Sequence, residues 1–130
     1  MTDKEIAAYA RQVAQRILVR QCGGMDSPET WTDAALTFGC RCHAFYALGG
    51  PPGEYAPLGD GQGVIAYNTA MTPPAQSHVL VHEIAHHLLT PLIPSDLFGE
   101  YVTRRYDDDP DDVRHRIAKR VEEICFRRTT

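Results

Sequence analysis

Ser77-His78-Val79-Leu80-Val81-His82-Glu83-Ile84-Ala85-His86-His87-Leu88-Leu89 is the stretch on which the reading of this chain turns. It contains His82-Glu83-x-x-His86, two histidines four residues apart with a glutamate between them. On an α-helix, residues four apart lie on one face, one turn above the other. His82 and His86 can therefore offer two imidazole nitrogens to a single Zn²⁺. Glu83 lies about 100° further round the same helix, beside the metal, where a general base for an attacking water belongs. Val79, Leu80, Ala85, Leu88 and Leu89 clothe much of the remaining surface, so the helix reads as buried. Two histidines and a carboxylate inside a buried helix are costly unless something pairs them, and a metal would do so.

Outward from this stretch, the bulk properties narrow the function. The chain has 130 residues, which suits one domain with a real core. A formal charge of -4 argues against a nucleic-acid-binding surface, which needs a basic patch. No apolar run approaches the length of a membrane span. The N-terminus, Met1-Thr2-Asp3-Lys4-Glu5, is polar and acidic with no signal-peptide core behind it, so a cytoplasmic location is expected. Cys22, Cys40, Cys42 and Cys125 have no regular disulfide spacing. Cys40 and Cys42, on one face of a strand, are expected to be reduced thiols acting as small hydrophobes.

Before the motif, Asp3 to about Gln21 reads as a helix, with Ile6, Tyr9, Ala10, Val13, Ile17 and Leu18 at helical spacing. Thr2 or Asp3 can cap it, and Gly23-Gly24 ends it. Ser27 and Pro28 open a shorter helix that runs through Trp31 to about Phe38. Cys40 to Leu48 reads as a strand. From Gly49 to Gly63 the chain is rich in Gly and Pro and reads as a loop or wide hairpin connection. Gly63 to Asn68 is a short strand, and the motif helix spans roughly Pro74 to Leu89.

Beyond the motif, Leu97 to Tyr106 reads as a short helix. The acidic run Asp107 to Asp112 lacks the spaced oxygens and glycine of a standard calcium loop. It reads instead as the start of a last helix, Asp109 at the N-cap and Pro110 at N1, running to about Arg127. Ile117, Val121, Ile124 and Cys125 mark the buried stripe of that helix. At 100° per residue Glu122 lies at the edge of the stripe, whereas Glu123 lies nearly opposite it, in solvent.

A catalytic zinc usually has three protein ligands and one open position. His87 is adjacent to His86 and points away, and no further histidine follows at short spacing. Glu122 is therefore the preferred third ligand, with Glu100 and then Asp96 behind it. His78, one turn before His82, shares the motif face as an outer partner or a cleft-lining group. A donor to the oxyanion is also expected, with Tyr67, Tyr101, Tyr106 and His115 as candidates that sequence does not rank.

The segment Gly63-Val64-Ile65-Ala66-Tyr67-Asn68 followed by His78 to Leu89 resembles the ImmA/IrrE family of zinc metallopeptidases. Those proteins carry a strand ending in Asn and then a helix with His-Glu-Leu/Ile-Gly/Ala-His. Val121-Glu122-Glu123-Ile124-Cys125-Phe126 is similar to the later helix that gives them a third, glutamate ligand. The resemblance spans about residues 35 to 127 and implies a gluzincin-like site of His82, His86 and Glu122 around Zn²⁺, with Glu83 as the base. It implies a peptidase acting on a protein substrate such as a helix-turn-helix repressor. The alternative is a zinc-binding partner, or the toxin-type member of a toxin–antitoxin or mobile-element system, without general protease activity. The expected architecture is α+β: a single domain, residues 1–130, with an N-terminal helix, a small antiparallel sheet and two metal-bearing helices, a minimal zincin-like fold.

Overall fold

A computed structural model describes residues 1–93, 104–105 and 112–127. The expectations placed on 94–103 and 106–111, including Asp96, Glu100, Tyr101, Tyr106 and the helix of Leu97 to Tyr106, lie outside the described residues.

The fold is α+β. Helix α1 spans Asp3–Leu18 and opens on a full capping box. Thr2 accepts from the Glu5 backbone, and the Glu5 side chain accepts in return from the Thr2 backbone, satisfying two orphan donors at once. Helix α2 spans Pro28–Thr37, with Pro at its first turn. Strand β1 is Cys40–Phe45, β2 is Gly53–Gly59 and β3 is Gln62–Asn68. Helix α3, Pro73–Leu89, carries the motif and is capped by Thr72. A two-residue strand β4, Arg104–Arg105, and helix α4, Val113–Cys125, complete the order.

The sheet order is β1-β3-β2-β4, and the sheet is mixed, not antiparallel as expected. Strand β1 runs parallel to β3, and β2 runs antiparallel to both β3 and β4. The difference traces to β2, which lies inside the stretch read as a loop. Gly53, Pro57 and Gly59 look like breakers, yet Pro57 sits beside a register shift in the pairing with β3, the kind of irregularity at which a sheet tolerates proline. Asp60 and Gly61 both have positive φ, 53° and 76°, and join β2 to β3 in a two-residue turn. Positive φ at both central positions is the I′ hairpin geometry that Asp-Gly favours. With β2 as the hairpin partner of β3, β1 takes the opposite side of β3.

The last helix also begins later than the acidic run suggested. Asp112, not Asp109, is its N-cap, and its carboxylate accepts from the backbone of Arg114 and His115. This fixes His115 in the first turn of α4.

Helix α3 is the centre of the molecule. It packs on β2 and β3 on one side and on α1, α2 and α4 elsewhere. Of its residues, Val79, Leu80, Val81, Ile84, Ala85, Leu88 and Leu89 are buried, as its all-round apolar pattern implies. Trp31 of α2 is completely buried, with its indole N–H donating to the Met25 carbonyl at 2.8 Å and its ring against Phe126 at 5.7 Å. This contact ties α2 to the end of α4.

Candidate metal centre

Burial of α3 on nearly every side carries the motif side chains into the interior. His82 and Glu83 have 0% exposure and His86 has 3%. The helical period brings the Nε2 atoms of His82 and His86 to 3.2 Å. Two nitrogens each about 2.0–2.1 Å from a tetrahedral zinc would stand roughly 3.3–3.4 Å apart, so the pair already has the spacing of two ligands. An oxygen of Glu83 lies 3.8 Å from His82 Nε2, on the same side of that ring.

Helix α4 crosses this face. His115 enters from its first turn, buried, with its ring 4.8 Å from that of His82 and 6.2 Å from that of His86. Ligand atoms of His82, His86 and His115 all lie within 4.8 Å of one another, close enough to bind one metal ion. The donor set fits a metal of borderline softness: three imidazoles, with a carboxylate, Glu83, beside them. Burial is the main reason His82 stays unprotonated, its pKa pushed down to about 2, with the charges of His115 and Lys119 acting in the same direction. A neutral ring is what a metal needs, because a protonated imidazole has no lone pair to give.

Glu122 is also at this site, against the outer edge of the His82 ring. Read as lying at the edge of the packed stripe, it is buried, and Glu123 is exposed as expected. Its Oε2 accepts from Nδ1 of His82 at 2.7 Å, the ring nitrogen opposite the one that faces His86. His78 Nδ1 lies 3.4 Å from its Oε1, and Lys119 Nζ lies 3.5 Å from its Oε2. His78, 41% exposed in its side chain, stacks on Phe126 at a centroid distance of 3.8 Å. His78 is thus an outer partner rather than a member of the cluster.

The sequence offers His115 only as a candidate oxyanion donor. The signal that could have found it is arithmetic: His115 and Glu122 are seven residues apart, two turns of helix, so any face that presents one presents the other. Tyr67, the other described oxyanion candidate, lies on β3, partly buried against the core. His87, read as pointing away, does so. Its Nε2–H donates to the Phe38 carbonyl at 2.7 Å, and its Nδ1 accepts from the Tyr55 hydroxyl at 2.7 Å. Asn68, at the end of β3, holds the β1–β2 connection. Its side chain accepts from the Ala47 and Ala70 backbones and donates to the Ala47 and Pro51 carbonyls. The four cysteines are free thiols. Cys40 and Cys125 are buried, and Cys42 is half-buried on the same face of β1 as Cys40.

A cleft of about 530 Å³ runs between α1 and α4, lined by Asp3, Ile6, Ala7 and, along α4, His115, Arg116, Lys119, Arg120 and Glu123. Of the three clustered histidines, His115 contributes to its wall. Among the described residues no helix is long and apolar enough to cross a membrane. No family model, curated protein or solved structure matches this chain.

Proposed function

We propose that this protein is a zinc-dependent hydrolase of peptide bonds, with the metal held by His82, His86 and His115. The observation that carries the reading is the convergence of three buried imidazoles within 4.8 Å, with the Glu83 carboxylate 3.8 Å from one of the donor nitrogens. A structural zinc is usually closed by four protein ligands, whereas three leave a position for water or substrate. A zinc ion there would supply Lewis acidity toward a water and a substrate carbonyl.

The residues divide the remaining work. His82, His86 and His115 hold the centre, and their burial excludes bulk water and strengthens every electrostatic contact within it. Glu83, buried in the same space, takes a proton from the attacking water and returns it to the leaving amine. The resemblance of the motif helix to the ImmA/IrrE metallopeptidases supports peptide as the substrate class and a repressor-like protein as its source.

One observation favours a second reading. The donors have almost no exposure and join α3 to α4, so a metal there would also staple the core, and the domain would act as a metal-stabilised binding module. The two readings part on activity. Zinc-loaded protein incubated with a complex peptide library, read by mass spectrometry, should produce new termini that Glu83→Gln protein does not. Equal cleavage by both, or by neither, rejects the hydrolase.

A further inference from the structure

We propose that Glu122 is a positioning residue, which orients and polarises His82 from its outer edge, and that it is not itself a ligand. This inference rests on the metal-centre reading above. The two nitrogens of an imidazole lie on opposite edges of the ring. The His82 edge bearing Nε2 faces His86 at 3.2 Å, and the edge bearing Nδ1 is held by Glu122 Oε2 at 2.7 Å. One carboxylate oxygen is therefore engaged on the side away from the donor cluster. The other is drawn away as well, toward His78 Nδ1 at 3.4 Å. Lys119, one turn earlier on α4, reaches Oε2 at 3.5 Å. His78 in turn is fixed by its stacking on Phe126. The carboxylate is thus tethered from both helices, by the outer nitrogen of His82, by His78 and by Lys119.

A carboxylate that accepts from Nδ1–H fixes the tautomer, leaving the Nε2 lone pair directed into the cluster. It also makes that nitrogen a stronger donor. His115, two turns earlier on the same face of α4, supplies the third nitrogen. The pairing therefore sets metal affinity.

The test uses the full chain as wild type, Glu122→Gln, Glu122→Ala and His115→Ala, stripped with a chelator and reloaded. Zn²⁺ affinity is measured by competition with a chromophoric chelator, and the donor set by the visible absorption of the Co²⁺ form. The positioning role predicts that Glu122→Gln binds one Co²⁺ with the wild-type band shape while its Zn²⁺ affinity falls about 10–100-fold. His115→Ala should change the band or abolish binding. Because Gln keeps the shape and an acceptor oxygen, it carries the test even if Glu122→Ala does not fold. The proposal is overturned if Glu122→Gln alters the Co²⁺ band while His115→Ala leaves it unchanged, or if Glu122→Gln binds Zn²⁺ as tightly as wild type. Metal bound by wild type without any hydrolysis would sink the hydrolase reading and leave this one standing. Failure of wild type to bind either metal would sink both.

Discussion

Tyr55 and His87 form a buried hydrogen bond, 2.7 Å from hydroxyl to Nδ1, that locks the sheet to the helix bearing the motif. The next turn of the contact is the His87 N–H to the Phe38 carbonyl, so one ring ties β2, α3 and the end of α2 together. Burial holds His87 below its ordinary pKa, against the opposing effect of the Phe38 carbonyl. His87 is therefore read as a structural residue, even though it adjoins the cluster residue His86.

Gly63 makes that contact possible. A Cβ at this position would lie 2.6 Å from Tyr55 Cε1 and 2.8 Å from His87 Nδ1. Gly63→Ala should destabilise the fold by about 1–3 kcal/mol, the usual range for overpacking. Tyr55→Phe should cost about 1–3 kcal/mol by leaving a buried nitrogen unsatisfied. Urea unfolding of both variants checks this. Wild-type stability in Gly63→Ala would mean that the Tyr55–His87 pair is looser than described.

Asn68 does for the β1–β2 connection what His87 does for the helix. Removing its four hydrogen bonds in Asn68→Ala should cost about 2–3 kcal/mol. Asn68→Asp should be worse near neutral pH, because a carboxylate would face the Ala47 and Pro51 carbonyls that now accept from Nδ2. Thermal denaturation of the two variants side by side gives the order, and an Asp variant more stable than the Ala variant would contradict it.

The thiols should divide by burial. Desolvation pushes the Cys42 and Cys125 thiols up to about 12 and Cys40 higher still. At pH 8 roughly one in ten thousand of a thiol with such a pKa is ionised, and the thiolate is the reactive form. Native protein should therefore show one fast-reacting thiol with a disulfide reagent, the exposed Cys22, and four in denaturant. Two or more fast thiols in native protein would rule out the burial described for the thiols of β1 and α4.

Glu83→Gln should retain the metal and lose activity by roughly 10²–10⁴-fold, the usual contribution of a general base. Metal content and turnover measured on the same preparation separate the two effects. A variant that keeps wild-type turnover would remove Glu83 from the mechanism.

Much of this was legible in the sequence, for definite reasons. The motif helix announced itself because His82, Glu83 and His86 sit among apolar residues at a period that only a helix can use. The exposure of Glu123, and the place of Glu122 on the packed side of it, followed from the same 100° rotation per residue. Strand β2 did not announce itself, because Gly53, Pro57 and Gly59 carry the composition of a loop, and only Asp60-Gly61 betrayed the hairpin. The parallel pairing of β1 with β3 is a tertiary consequence of that hairpin and has no local signature. His115 was legible only as an oxyanion candidate, and its seven-residue spacing from Glu122 gives its face of α4 but not its place beside the motif. Its distance from the motif is set by how α4 crosses α3, which the sequence of neither helix states.

The most direct test of the central claim is the metal content of the protein purified without added metal, wild type beside His115→Ala. One zinc per chain in wild type, lost or much reduced in His115→Ala, is the predicted result. No metal in wild type even after zinc is offered, or full occupancy in His115→Ala, would contradict a centre built from His82, His86 and His115.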